Sequence, residues 1–383
     1  MSILFDNVRV YLGGAFFPGQ KILIEKGKVA AVGSKILKSA ETVIDGQRKY
    51  LVPGLIDAHT HLGLNDSGSG IQGSDINERF QPITPHLRPL DGLRMRDKVL
   101  DDARRAGITT CMVCPGSTNP IAGQCSIMKT NGNSADVGLI VEQAGIKFSF
   151  GEDPKQQYGH TVKKFPSTRM GISALMRETL MKAQDYLEQK QSKKGIRDRI
   201  IEFEALIPLL EGRVPMRAHA HRVEDIMAAI RIAEEFKLRL VLEHATEAHL
   251  IAKTLAEKKI PVISGPATVP ELKFELTGKI FESAVILLDA GVEVALTCDY
   301  PGLSIDSLRV AAATAVQYGL DEKRAMQAIT EFPAHILGLD SRIGQIKKGY
   351  DGDVVLFSGH PLDIRSRIEA VTIDGELFSF FRS

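Results

Sequence analysis

The pattern of apolar and polar positions changes twice along the chain. Residues 1–52 contain short segments in which apolar and polar residues alternate, such as KILIEKGKVAAVG, separated by Gly, Asp and Asn. This pattern is typical of antiparallel strands joined by tight turns. It returns near the C-terminus in GDVVLFSG and IEAVTIDGELFSF. We therefore predict one small β-sandwich domain that combines residues 1–52 with residues 342–383.

The segment between these ends alternates short apolar runs with stretches of helical period. The predicted strands are LIDAHTH, GITTCMVCPG, GIKFSFGE, PMRAHAH, RLVLEHA, PVISGP and VEVALTCD. Repeated strand–helix units predict a parallel sheet, and the length of residues 53–341 favours a closed (β/α)8 TIM barrel. A doubly wound open sheet is the alternative, but no GxGxxG or GxxxxGK[ST] motif stands directly between one of these strands and a predicted helix.

Two long stretches do not follow the strand–helix alternation. Residues 62–90 and 153–170 are rich in Gly, Pro and polar residues, and we predict loop-like insertions there. In barrels, such loops cover the site at the C-terminal face, so they would determine substrate selectivity. For the segment PGSTNPIAGQ, residues 115–124, we predict either a substrate-binding loop or an ordinary turn.

Composition and charge are those of an ordinary globular protein. Of 383 residues, 44% are hydrophobic and 25% charged, and the net charge of +1 leaves no electrostatic footprint for nucleic acid or an acidic membrane. The sequence shows neither a transmembrane run nor a signal-peptide pattern, so we expect a cytoplasmic protein. Cys111 and Cys114 form a CxxC on a predicted strand. Residues three apart on a strand point to opposite faces, so we expect packed core cysteines.

Two histidines on the first predicted barrel strand are the strongest chemical signal. His59 and His61 are separated by one residue, so both rings project from the same face of the strand. At the mouth of a barrel this face is the interior, where two neutral imidazoles can begin a Zn²⁺ site.

VPGLIDAHTH resembles the first barrel strand of the metal-dependent amidohydrolase superfamily, and the imidazolonepropionase-like branch is the nearest resemblance. His219, His244 and Asp299 end predicted strands at the matching positions. The segment TEFPAHILGLDSRIGQIKKGYDGDVVLF is similar to the family's return from the barrel to the β-domain. The resemblance covers essentially the whole chain. It implies a metal-dependent hydrolase that acts on carbon–nitrogen bonds other than ordinary peptide bonds.

The resemblance also implies roles for individual residues. One or two divalent ions, with Zn²⁺ the first candidate, would be held by histidines and carboxylates that include His59, His61, His219, His244 and Asp299. Asp299 would serve as general base as well as ligand. His244 would bind metal or polarise the substrate carbonyl, and His244 or His221 would stabilise the developing oxyanion.

Two assignments stay open at this point. His219 and His221 can both face the interior; the family pattern favours His219 as ligand and leaves His221 near the substrate. On the fourth strand either Lys147, after carboxylation, or Glu152 would be the ligand. We favour Glu152 because it stands at the expected end of the strand.

Three functions are compatible with these residues. Hydrolysis of an amide, cyclic amide, N-acyl group or dipeptide is favoured. Deamination on the same scaffold is the alternative, but related deaminases place a glutamate where this chain has Arg222. A non-catalytic scaffold is disfavoured because the predicted ligands are present together. We expect a small-molecule substrate and no nucleic-acid or membrane partner, and a homo-oligomer is compatible with the sequence.

Overall fold

The computed structural model describes residues 1–65, 70–192, 196 and 198–381. Parts of the predicted insertion 62–90 and of the predicted C-terminal segment, at residues 66–69 and 382–383, therefore lie outside the described residues.

The strands are β1 Ser2–Leu12, β2 Ala15–Glu25, β3 Lys28–Gly33, β4 Thr42–Asp45, β5 Tyr50–Pro53, β6 Leu55–Thr60, β7 Ile108–Val113, β8 Ile121–Lys129, β9 Leu139–Ser149, β10 Met216–Ala220, β11 Leu240–His244, β12 Val262–Ser264, β13 Val294–Leu296, β14 Val354–Phe357, β15 Ile368–Ile373 and β16 Glu376–Ser379. The α-helices are α1 Lys98–Arg105, α2 Ala135–Gly138, α3 Glu152–Pro154, α4 Arg169–Gln191, α5 Ile201–Leu210, α6 Val223–Glu235, α7 Ala252–Glu257, α8 Ser283–Asp289, α9 Ser307–Gln317, α10 Glu322–Gln327 and α11 Glu331–Ile336. The described residues also form short 3₁₀ segments and a π-helical segment, Lys155–Val162.

Strands β6 to β13 form one sheet in sequence order. Its edge strands come together, because Thr297 Oγ1 donates to the carbonyl of His59 at 2.7 Å and His61 N donates to the carbonyl of Tyr300 at 2.8 Å. The fold is thus TIM-barrel-like, which confirms the prediction at this level.

One strand breaks the strict (β/α)8 alternation. Strand β8 runs antiparallel to both β7 and β9, whereas the pairs from β9 to β13 are parallel. The sequence did not indicate this strand, because its first residues fall in the segment read as a loop or turn. All of β8 is buried, and its backbone is satisfied by hairpin pairing with its two neighbours.

A second sheet draws on both ends of the chain. Its order is β16-β15-β14-β5-β1-β2-β3, with β4 paired to β1. Strand β14 joins the N-terminal strands by antiparallel pairing with β5. Apolar side chains from both ends, among them Phe5, Ile24 and Leu356, share one buried cluster. That these strands form a separate β-sandwich domain stays a prediction.

The cysteines of the CxxC pack as the strand pattern predicts. Both are buried and unbridged, and they belong to different apolar clusters on the two sides of β7. Among the described residues, no helix has the length and apolar character needed to cross a bilayer.

Candidate metal centre

His59 and His61 leave the C-terminal end of β6 with both rings in the barrel mouth. The ring centroids lie 5.3 Å apart, and both side chains are buried. His61 Nδ1 lies 2.7 Å from the carbonyl oxygen of Cys114. Because a carbonyl can only accept, Nδ1 carries the proton, and the lone pair of a neutral His61 is on Nε2. This nitrogen faces the centre of the mouth.

Asp299 follows β13, the edge strand that lies next to β6 where the sheet closes. Its Oδ1 lies 3.3 Å from His59 Nε2 and 3.6 Å from His61 Nε2. His59 Nε2 and Asp299 Oδ1 are both buried and have no hydrogen-bond partner among the described residues. The ligand atoms of His59, His244 and Asp299 all lie within 4.8 Å of one another. We call His59, His61, His244 and Asp299 the Asp299 group.

The backbone is unusual where two of these side chains are presented. His244 and Asp299 have φ values of +65° and +53°. Left-handed conformations of non-glycine residues are sparsely populated and gather at functional sites. At the end of β11, this conformation lets His244 turn into the mouth, where its Nδ1 lies 2.8 Å from the carbonyl oxygen of Gly265. As in His61, Nε2 is left with the lone pair.

The charges of His61, His244 and Asp299 favour a cation. Burial lowers the pKa of His61 to about 4 and that of His244 to about 3, so both rings are neutral at pH 7. Burial alone would raise the pKa of Asp299, but His244 and His59 hold it below its usual range. Neutral imidazoles and an ionised carboxylate are the forms in which these residues bind metal.

His219 and His221 lie beside this group, at the end of β10. The centroid of the His219 ring is 4.7 Å from that of His244, and the His221 and His244 rings are stacked at 5.1 Å. The Nε2 atoms of His219 and His221 lie 3.7 and 3.6 Å from Oε1 of Glu275. The ligand atoms of His219, His221 and Glu275 are also within 4.8 Å of one another. We call these three residues the Glu275 group.

Comparison with known proteins identifies the family of this chain. The Amidohydrolase family profile matches residues 213–379. Amidohydrolase tasK of Hapsidospora irregularis is 28% identical over 97% of this chain, which spans 41% of the length of tasK. An imidazolonepropionase of Kosmotoga olearia is 25% identical, covering 88% of this chain and 84% of that protein. A crystal structure of an amidohydrolase from Thermotoga maritima MSB8 is 41% identical, with a TM-score of 0.95 over 99% of this chain and 100% of that one.

The chain belongs to the amidohydrolase family. Membership confirms the predicted resemblance and the enzyme class, a hydrolase of carbon–nitrogen bonds other than ordinary peptide bonds.

The two candidate fourth-strand ligands of this amidohydrolase occupy different places. Lys147 is fully buried in the barrel interior, and its Nζ lies 2.5 Å from Oε2 of Glu243. Glu152 follows the turn at Gly151, and its Oε2 accepts from the backbone N–H of Glu275 at 3.2 Å. Within the described residues, neither side chain belongs to the Asp299 group or the Glu275 group. A ligand role for Glu152, favoured from its strand position, stays untested.

Sequence reasoning missed Glu275. It lies in the 3₁₀ segment Phe274–Leu276, in the connection that follows β12, and only 1% of it is exposed. Burial, together with the nearby Asp153, raises the pKa of Glu275 to about 7. The segment PELKFELTG carries no strand or helix pattern that would direct this glutamate inward, so the sequence offered no signal for it.

Glu243 contacts His59 of the Asp299 group and two buried cationic side chains. Its Oε1 lies 2.8 Å from Arg217 Nε and 3.1 Å from His59 Nδ1, while Oε2 meets Lys147. Burial alone would raise the pKa of Glu243, but His59, Lys147 and Arg217 hold it well below its usual value. The ionised Glu243 thus attracts the Nδ1 side of the His59 ring, opposite the Nε2 atom that approaches Asp299.

Proposed function

We propose that the chain hydrolyses the amide bond of a small molecule, either a cyclic amide, an N-acyl compound or a dipeptide. In this proposal a divalent cation, Zn²⁺ in the first instance, binds His59, His61, His244 and Asp299. The observation that carries the proposal is the convergence of His59 Nε2 and His61 Nε2 on Asp299 Oδ1 at 3.3 and 3.6 Å.

These distances fit a cation better than direct hydrogen bonds. Bonds between imidazole nitrogen and carboxylate oxygen are normally about 2.7–3.2 Å long. Zinc–nitrogen bonds of about 2.0–2.1 Å in a tetrahedral site place two ligand atoms about 3.3 Å apart. The unpartnered, buried His59 Nε2 and Asp299 Oδ1 would both be satisfied by an ion.

When bound, a divalent ion lowers the pKa of a coordinated water to about 7 and polarises a carbonyl oxygen. Asp299 supplies the proton acceptor, because its carboxylate stays ionised at neutral pH. It receives the proton of the attacking water and then returns it to the leaving nitrogen, which must depart as an amine. His244 serves as a ligand in this scheme, since its protonated Nδ1 is committed to Gly265.

The role of His221 depends on its tautomer. Its Nδ1 lies 2.7 Å from Thr246 Oγ1, and a hydroxyl can donate or accept. With the hydroxyl donating, His221 Nε2–H could stabilise a developing oxyanion, as predicted from the sequence. With the hydroxyl accepting, Nε2 presents a lone pair instead.

Deamination remains the second candidate, and Glu275 favours it. Arg222 stands where related deaminases carry a glutamate, and its Nε contacts Glu224 at 2.6 Å. Glu275 nonetheless brings a carboxylate to 3.7 Å from His219 Nε2, from a different element. Ammonia release from amidine-like rings, measured beside amine release from amides, distinguishes the two reactions.

We expect Asp299→Asn to lower kcat by about 10²–10⁴-fold, the usual effect of losing a general base. Much of the metal should stay bound, because His59, His61 and His244 are retained. The measurement is kcat on the best substrate from a screen of cyclic amides, N-acyl amino acids and dipeptides, with metal content determined in parallel. Asp306→Asn, at an exposed position nearby, is the matched control. Full activity of the Asp299 variant would rule out this role.

A further inference from the structure

A wide cavity lies at the end of the barrel opposite the candidate metal centre. Its volume of about 1050 Å³ is comparable to that of the largest small-molecule pockets, about 1,000 Å³. Pro215, Arg239, Pro261 and Glu293 line it, and each stands directly before one of the parallel strands β10 to β13. The histidines of β10 and β11 are at the other ends of these strands. We call this space the lower cavity, and the proposed reaction gives it no part.

The inner part of the lower cavity is apolar. Val214, Leu240, Ile260 and Val292 line it next to the strand ends, and the exposed fraction of each is between 3% and 9%. A ligand that contacts these side chains removes its own apolar surface from water, which is favourable in proportion to the area buried. This part of the cavity therefore suits an aliphatic or aromatic group.

The charged side chains along the edge of the lower cavity are mostly cationic. They are the exposed Arg213, Lys237, Arg239, Lys258 and Lys259, together with Glu234 and Glu293. Both acids already have partners. Glu234 pairs with Lys258, and Glu293 is bonded to His335 at 2.8 Å. Neither acid is left to compensate the other cations.

Three of these cations have no acidic partner within the part of the chain that the structure describes. Arg213 is paired with Glu211 at 2.7 Å, but no ion pair forms at Lys237 or Lys259, which stand two residues after the ends of α6 and α7. Arg239 donates from Nη2 to the carbonyl oxygen of Arg213 at 2.9 Å, and this bond leaves its charge uncompensated. The edge therefore presents positive charge beside apolar surface.

Arg217 separates the lower cavity from the metal centre. Its side chain lies in the cavity wall, is only 1% exposed, and donates from Nε to Oε1 of Glu243 at 2.8 Å. On the side of the metal centre, Glu243 contacts His59 and Lys147. Because Glu243 compensates Arg217, the positive charge available to a ligand is that of the edge. The lower cavity is thus a separate space and not an extension of the barrel mouth.

We propose that the lower cavity binds a small amphipathic carboxylate, a molecule with an aliphatic or aromatic body and one acidic group. The body packs on the buried apolar side chains, and the carboxylate pairs with Lys237, Lys259 and Arg239. An inorganic anion would leave the apolar part unused, and an uncharged apolar molecule would leave the cations unpaired. The inference goes beyond the proposed function and does not depend on it, because no residue of the Asp299 group takes part.

The test is the binding of anilinonaphthalene sulfonate, an aromatic anion whose fluorescence rises in apolar surroundings, to the metal-free protein. Octanoate should displace the bound probe. Acetate at the same concentration should not, because it has the carboxylate without the apolar body. Phenylnaphthylamine, which has the same rings without the sulfonate, should bind more weakly. Equal displacement by acetate and octanoate, or equal binding of the charged and uncharged probes, would overturn the proposal.

Substitutions at the edge locate the bound probe. The double variant K237Q/K259Q should raise the Kd of the probe fraction that octanoate displaces by about 5–10-fold, because two exposed charge interactions are lost. The matched control K35Q/K348Q removes the same charge at two exposed lysines that do not line the cavity, and should leave this Kd unchanged. An unchanged Kd in K237Q/K259Q, or an equal rise in the control, would contradict binding in the lower cavity.

The salt dependence of binding gives a second measurement. Added NaCl screens exposed charges, so it should weaken probe binding to the wild type more than to K237Q/K259Q. If circular dichroism shows that this variant is not folded, Arg239→Gln replaces it in both experiments. An identical salt dependence in the wild type and the folded variant would overturn the proposal. Because no substrate or metal is present, failure of the proposed hydrolysis leaves these outcomes unaffected.

Discussion

At the scale of single residues, the site depends on groups that contact no substrate. Carbonyl oxygens of Cys114 and Gly265 fix the tautomers of His61 and His244, and the ionised Glu243 holds His59. Such partners orient metal-binding imidazoles and raise their basicity. The histidine spacing on β6 was enough to predict two adjacent rings, but nothing local in the sequence predicts these partners, which come from other strands.

Glu243→Gln tests this support. The change leaves Lys147 and Arg217 as buried cations without a compensating charge, so we expect a loss of about 3–5 kcal/mol in the free energy of unfolding. Glu257→Gln, at an exposed position, should change it by no more than about 0.5 kcal/mol. Denaturant unfolding of the metal-free variants measures both values. A loss for Glu243→Gln as small as that of the control would show that the buried cations are neutralised in another way.

At the scale of elements, β8 joins the two sheets. Lys129 ends this strand and is almost fully buried. Its Nζ contacts Asp353, and Asp351 at 2.8 Å, which lie one and three residues before β14 of the terminal sheet. A lysine at the end of a buried strand suggested no such role from sequence alone, because its partners lie more than two hundred residues away.

Lys129→Met should therefore destabilise the whole fold. Removing the cation leaves the buried Asp353 uncompensated, and we expect the free energy of unfolding to fall by about 3–5 kcal/mol. The double variant K129M/D353N should recover part of this loss, since the amide of Asn carries no charge. Denaturant unfolding of the single and double variants gives the coupling energy. Strictly additive effects would contradict a direct interaction between these side chains.

The elements also show how far sequence reasoning reached. The strands carrying His59, His219 and His244 were predicted because each apolar run ends in a histidine. Strand β8 was missed because its Gly123 and small polar residues resemble a turn, although hairpin pairing with β7 and β9 satisfies its backbone. The inward position of Glu275 was also missed. Tertiary contacts, including the backbone of Glu152, determine its position, and periodicity does not record them.

At the scale of the whole molecule, the buried histidines couple stability to pH. Burial lowers the pKa values of His61, His244, His219 and His221, whereas Glu243 raises that of His59 despite burial. An unfolded histidine has a pKa of about 6.5. Below that pH the unfolded chain binds protons that the folded chain, with its four lowered pKa values, does not bind. The pKa of His59 is raised in the folded protein, so this residue acts in the opposite direction. It contributes stability that is fully present below a pH of about 6.5 and is lost as the pH rises through its folded-state pKa.

Stability of the metal-free protein should therefore fall as the pH decreases from about 6.5 toward 4, before the carboxylates dominate. Each histidine that stays neutral in the folded state contributes a slope of about 1.4 kcal/mol per pH unit in this range. The double variant H61N/H244N cannot take up these two protons on unfolding, so its free energy of unfolding should depend less steeply on pH. Denaturant unfolding of both proteins between pH 7.5 and 4.5, after removal of metal by a chelator, gives the two slopes.

Zn²⁺ at saturating concentration should steepen the wild-type dependence of the unfolding free energy on pH further, because protons and the ion compete for the same nitrogens. Equal slopes for the metal-free wild type and the double variant would mean that His61 and His244 become protonated in the folded protein, which neither a metal site nor their burial allows.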